Sequence, residues 1–134
     1  MSRIELDGKT GYIYIDMCLL KNADEIVTPS VPYLIRDIEN GAALRNCSFS
    51  HCLKQFAKQK RSELTAEEGI ALIVQRPEIL KIFKFNLLGF RCGASYIPCL
   101  EVIEGRPALG YNWLEGIGLA PGWANPSCGS RLSI

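Results

Sequence analysis

The sequence has almost no excess of charge, with 15 Lys and Arg against 14 Asp and Glu and a formal net charge of +1. Association with nucleic acid or an anionic membrane is normally steered by a clear basic surplus, so neither is expected as a partner. Long apolar runs are missing too. No stretch approaches the ~20 residues that a helix needs to cross a bilayer. Residues 1–11 mix charged and apolar side chains, without the apolar core of a secretory signal. A cytoplasmic chain is therefore expected. Histidine is reduced to His51 alone, which excludes a multi-histidine metal site. The six cysteines, at 18, 47, 52, 92, 99 and 128, contain no C-x-x-C pair. Neither Cys47 with Cys52 nor Cys92 with Cys99 has the spacing of a zinc ribbon or finger. Free thiols are expected, as in a reducing compartment, with no metal and no cofactor.

What is present fits one α+β domain covering residues 1–134. The length is near the commonest domain size, and no linker, repeat or low-complexity tract divides the chain. The apolar share, counting glycine, is slightly above the usual range for soluble domains. That surplus makes a second copy of the chain a candidate partner.

Residues 11–20 begin with an alternation rich in aromatic and β-branched residues, and 31–38 form a second such run closed by Asn40-Gly41. Both read as strands. Ser48 is placed to cap a helix through about Gln59, with Phe49, Cys52, Leu53, Phe56 and Ala57 on one face. Leu64-Thr65-Ala66-Glu67-Glu68 is a capping box, Thr65 at the N-cap and Glu68 three residues on. The helix that follows is apolar over most of its circumference and is expected to be buried; Pro77 ends it. From Phe83 the period becomes two. Residues 83–88, 96–103 and 108–114 then predict a three-stranded antiparallel meander, with Pro98 at an edge or a bulge. The expected fold is an antiparallel sheet including this meander, packed against two or three helices. Residues 115–131 are rich in glycine and proline and read as loop.

These segments resemble an uncharacterised bacterial family of unknown function. The likeness rests on Tyr33 to Gly41, the Leu64 to Ala71 helix start, Pro77-Glu78-Ile79-Leu80, Gly89-Phe90-Arg91-Cys92-Gly93, Pro98-Cys99-Leu100, Pro107 to Tyr111, and Ser127 to Arg131. It covers roughly 31–131. Phe90 stands where that pattern has serine and Tyr111 where it has tryptophan, and the chain is shorter at its N-terminus. The resemblance implies one domain and a bacterial setting, and brings no activity with it.

Several groups could carry chemistry. Cys47 lies just before a helix N-terminus, one turn from His51, an arrangement that can activate a thiol; spacing alone supports it. Cys128 sits in a glycine-containing loop with Arg131, a candidate anion nest. Asp16, Asp37 and Glu39 could converge if their strands pair. The basic run at 54–61 is followed at once by Glu63, Glu67 and Glu68 and reads as a solvated helix end. Tyr111, Asn112, Trp113 and Trp123 are what a pocket or an interface would use. The expected function is a non-catalytic small-molecule-binding or protein-interaction domain. The candidate binding residues are Arg91, Arg131, Trp113, Tyr111, Asp37 and Cys128, with an anionic small molecule as the candidate ligand. A small enzyme using a cysteine or an Arg/carboxylate site, and an accessory nucleic-acid binder, are the alternatives.

Overall fold

The computed structural model describes residues 1, 4–13, 20–23, 26–93, 95–117 and 123–133. The first half runs β1 (Glu5–Leu6), β2 (Lys9–Thr10), β3 (Tyr12–Ile13), β4 (Leu20–Asn22), β5 (Tyr33–Arg36), α1 (Phe49–Gln59) and β6 (Ser62–Glu63). The second half runs α2 (Ala66–Gln75), β7 (Lys84–Asn86), β8 (Phe90–Cys92), β9 (Tyr96–Ile103), β10 (Arg106–Trp113), β11 (Trp123–Ala124), β12 (Ser127–Cys128) and β13 (Ser130–Ser133). Short 3-10 turns at Ala42–Leu44, Pro77–Lys81 and Leu114–Gly116 complete the described chain.

The expected meander is the spine of the main sheet. β7, β9 and β10 are antiparallel neighbours, and β9 and β10 pair over eight residues each, from Arg106 opposite Ile103 to Trp113 opposite Tyr96. The sheet is mixed at its margins, because β3 joins β10 and β11 joins β7 in parallel. β8 pairs with β9 and with β4. The strands at 11–20 and 31–38 do not pair with each other among the described residues; β5 instead takes β13 as its antiparallel partner.

Pro98 is not at an edge. β9 is central, and the proline falls at a seam between its neighbours on one flank. There β7 ends its pairing at Cys99 and β8 begins at Tyr96. The Pro98 carbonyl accepts from the Leu87 amide at 3.0 Å, so its N–H-less nitrogen faces the same seam and no ladder bond is lost.

Alternation along β9 divides the core. Leu100, with Leu109 and Phe85, faces a cluster that includes Leu64, Ile73 and Leu80. Ile97, of opposite parity, faces Cys52, Phe56, Leu88 and Ile117. α2 therefore covers one face and α1 the other. Each large side chain fully removed from water contributes about 1.5–3 kcal/mol. α2 can come this close because Gly69 has no side chain; a Cβ there would stand 2.5 Å from Leu87 Cδ2 and 3.2 Å from Leu100 Cδ1.

Both predicted caps are present. Ser48 Oγ accepts from the His51 amide at 3.2 Å, and Thr65 and Glu68 form the reciprocal box. The expectation that α2 is buried nearly all round is corrected. Ala66, Glu68, Gly69 and Ile73 are buried, but Ala71 is exposed and Val74 is 55% exposed. The sheet can cover only one side of it. The tail is likewise not simply loop. β11, β12 and β13 are formed there because β7, β6 and β5 offer them partners.

Candidate functional site

The strongest polar assembly is built on the capping box of α2. Glu68 Oε1 accepts from the Thr65 amide at 2.9 Å and from Arg131 Nη2 at 2.9 Å. Its Oε2 accepts from Arg131 Nε at 2.6 Å and from the Tyr33 hydroxyl at 2.9 Å. Arg131 also donates to Ser62 Oγ and to the Glu63 carbonyl, each at 2.7 Å. Burial alone pushes the Glu68 carboxyl up, but the Arg131 and Thr65 hydrogen bonds outweigh it and hold the group below the ordinary carboxylate range. Tyr33 is pushed up to about 12, first by burial and then by its bond to Glu68. Arg131, read from the sequence as a ligand-binding group, is thus the bidentate partner of a buried carboxylate and ties β13 to α2.

A second arginine, which the sequence left on a solvated helix end, is drawn inward as well. Arg61 is 7% exposed at its side chain. Its Nε donates to Ser127 Oγ at 2.7 Å, Nη1 to Asp37 Oδ2 at 2.8 Å, and Nη2 to the Asp37 and Ser127 carbonyls. Glu39 Oε2 stands 3.6 Å from Nε. Asp37 and Glu39 therefore gather on Arg61; Asp16 lies outside the described residues. The Gly129 amide donates to the Arg36 and Asp37 carbonyls at 2.8 and 3.1 Å, which commits the nest expected beside Cys128 to the chain's own backbone.

Above this clamp lies a cleft of about 600 Å³. Its walls are the 38–44 segment, Phe56 and Gln59 of α1, and Asn125 with Ser127. The backbone around it is unusual. Asp37, Asn46 and Lys60 have φ of 55°, 64° and 57°, and Gly41 has 77°. Left-handed non-glycine residues carry a strain that tends to collect at functional sites. Gly41 is obligatory here, since a Cβ would stand 2.1 Å from the Asn125 carbonyl carbon. Behind the cleft runs a chain of amides. Asn112 Nδ2 donates to Asn86 Oδ1 at 2.6 Å, Asn86 Nδ2 to Asn125 Oδ1 at 3.1 Å, and Asn125 Nδ2 to the Leu44 carbonyl at 3.1 Å. Asn86 and Asn125 are 2% and 1% exposed. Such amides are worth burying only where each bond is made. Asn112 stands out in the sequence only beside its aromatic neighbours, and nothing there joins it to Asn86 and Asn125.

The remaining candidates sit elsewhere. Arg91 Nη1 donates to the Leu88 and Phe90 carbonyls at 2.8 and 2.9 Å, and the guanidinium lies 5.1 Å from the Phe49 ring centre. Tyr111 meets Tyr96 edge-on at 4.9 Å between centroids. Trp113 is opposite Tyr96 and 52% exposed, so these aromatics form an outward patch at one end of the β9–β10 hairpin. Trp123 packs under Lys84 Nζ at 5.4 Å. Arg91, Arg131, Asp37 and Trp113 thus rest on separate sets of partners. Cys128 is fully buried, and burial pushes its thiol up. The Cys47 thiol donates to the Arg45 carbonyl at 3.6 Å and makes no hydrogen bond to the His51 imidazole. Cys52 is pushed up to about 12 by burial and then by Cys47. The five described cysteines are free, and Cys18 lies outside the described residues. Among the described residues no three metal-ligating side chains gather, and no helix is long and apolar enough to cross a membrane.

Among known proteins, the model of a family of unknown function (DUF5701) matches residues 1–123. The match begins at Met1, so it includes the segment before residue 31 that the sequence resemblance left out. No curated protein and no solved structure matches the chain.

Proposed function

The chain belongs to DUF5701, a family of unknown function, and from that premise we propose that it is a non-catalytic binding domain for a small molecule. The site is the cleft between the 38–44 segment and the C-terminal end of α1. One coincidence carries this reading: a cavity of about 600 Å³, within the usual ligand-pocket range of roughly 300–1,000 Å³, opens where left-handed backbone and the buried asparagine chain meet. Its wall is rigid, because Glu39 and Ser127 exchange backbone hydrogen bonds at 2.9 and 3.2 Å. The reading moves the site away from Arg91 and Arg131. Both guanidinium groups are held against internal carbonyls or carboxylates, so the anionic ligand first expected loses its receptor. The bacterial setting rests on the resemblance, and the cytoplasmic one on the absence of a disulfide among the five described cysteines.

A thermal-shift screen of the full chain against metabolites and fragments tests the proposal, since a ligand that binds only the folded state raises the apparent melting temperature. Ala43 is an exposed residue of the cleft wall, so Ala43→Phe should narrow the cleft and leave the fold intact. A ligand whose stabilisation vanishes in Ala43→Phe and persists in Trp113→Ala supports the cleft. The opposite pattern would move function to the aromatic patch.

A further inference from the structure

Building on the cleft proposed above, we infer that its ligand is a small organic cation, an ammonium group on a short apolar body, and that Glu39 is its counter-charge. Glu39 is the one ionisable side chain in the described lining, which contains no lysine or arginine. Its carboxylate has an arginine close by but no hydrogen bond from it. The Arg61 Nε proton goes to Ser127 Oγ at 2.7 Å, and Glu39 Oε2 is left 3.6 Å away. The other Arg61 donors go to Asp37 and to the Ser127 carbonyl. Glu39 thus stands beside a positive charge while its side chain stays 61% exposed, with acceptor capacity to spare.

Its backbone is fixed at the same time by the two-way bridge to Ser127. A counter-charge held on rigid backbone loses little freedom when it binds, which favours affinity. The rest of the lining suits the body of such a ligand. Ala42, Ala43, Leu44 and Phe56 supply apolar surface, and Gln59 supplies a neutral amide. A carboxylate or phosphate ligand would instead meet Glu39 with like charge.

The experiment uses the ¹⁵N-labelled full chain and three probes of matched size: butylammonium, butyramide and butyrate. Butylammonium is expected to shift the Gly41, Gln59 and Asn125 amides in a saturable way and to bind more tightly than the other two. Glu39→Gln keeps size and backbone and should weaken butylammonium about tenfold, the scale of one charge-assisted hydrogen bond, without changing butyramide binding. Glu67→Gln removes an exposed carboxylate on α2 that is not part of the cleft lining and should leave butylammonium binding as it is. Butyrate binding as well as butylammonium, or an unchanged affinity in Glu39→Gln, overturns the charge inference while the cleft remains a site. If no probe moves the cleft amides, the site and the inference fall together.

Discussion

Replacing Arg131 by methionine keeps most of the apolar stem and removes the cation from a carboxylate that is 3% exposed at its side chain. Glu68 would keep the Thr65 amide and the Tyr33 hydroxyl but lose both bonds from Arg131. Breaking one side of a buried pair costs about 3–5 kcal/mol, a large part of the roughly 5–15 kcal/mol that holds a domain folded. The pH dependence identifies the cause. In the native protein the Glu68 carboxyl is held below its unfolded range. Its contribution is therefore fully present above the unfolded value and is lost as pH falls through the folded one. Without Arg131 the burial penalty, the largest influence on this group, acts with weaker opposition and raises the folded value instead. Protonation then relieves the variant, and its deficit should shrink between about pH 7 and about pH 5. Urea melts of both proteins at the two pH values measure this. Glu68→Gln combined with Arg131→Met should recover part of the loss, because both charges leave together. A deficit below about 1 kcal/mol, as for an exposed pair, or one that does not change with pH, would refute the buried-pair account.

Two further perturbations probe the framework. Thr65→Ala removes the acceptor for the Glu68 amide and should lower stability by about 1 kcal/mol; an unchanged urea midpoint would mean the cap does not hold α2. Gly41→Ala combines a left-handed backbone with overlap against Asn125 and should cost about 3 kcal/mol or more. Gly93→Ala, with φ of 69° and open space around it, should cost only the backbone strain, about 1 kcal/mol. Equal losses in the two glycine variants would contradict the close approach of the 38–44 segment to Asn125.

Local chemistry was legible in the sequence, and long-range commitment was not. The capping box, the Ser48 cap and the β7–β9–β10 meander depend on residues near one another in the chain, and the structure has all three. Membership of a family of unknown function was expected from the sequence, and a family model matches residues 1–123. The role of Arg131 was hidden because its partner Glu68 is 63 positions away. A free arginine beside a glycine loop and an arginine committed to a carboxylate read alike in one dimension. Arg61 was hidden for a similar reason, as a basic run says nothing of which member turns inward. In the tail, glycine and proline suggested loop, yet two to four residues suffice for a strand when a partner edge is waiting. α2 looked apolar all round, but composition does not say how many sides neighbours cover. The cleft itself arises from the meeting of 38–44, α1 and 125–127, three segments that show no common pattern.

The central claim is that small molecules enter this cleft, and a crystal of the full chain soaked with a fragment library would show where they go. Density is expected between Gly41 and Gln59, with an amine-bearing fragment directed at Glu39. Fragments gathered on Tyr96, Tyr111 and Trp113, with the cleft empty across the library, would contradict the account.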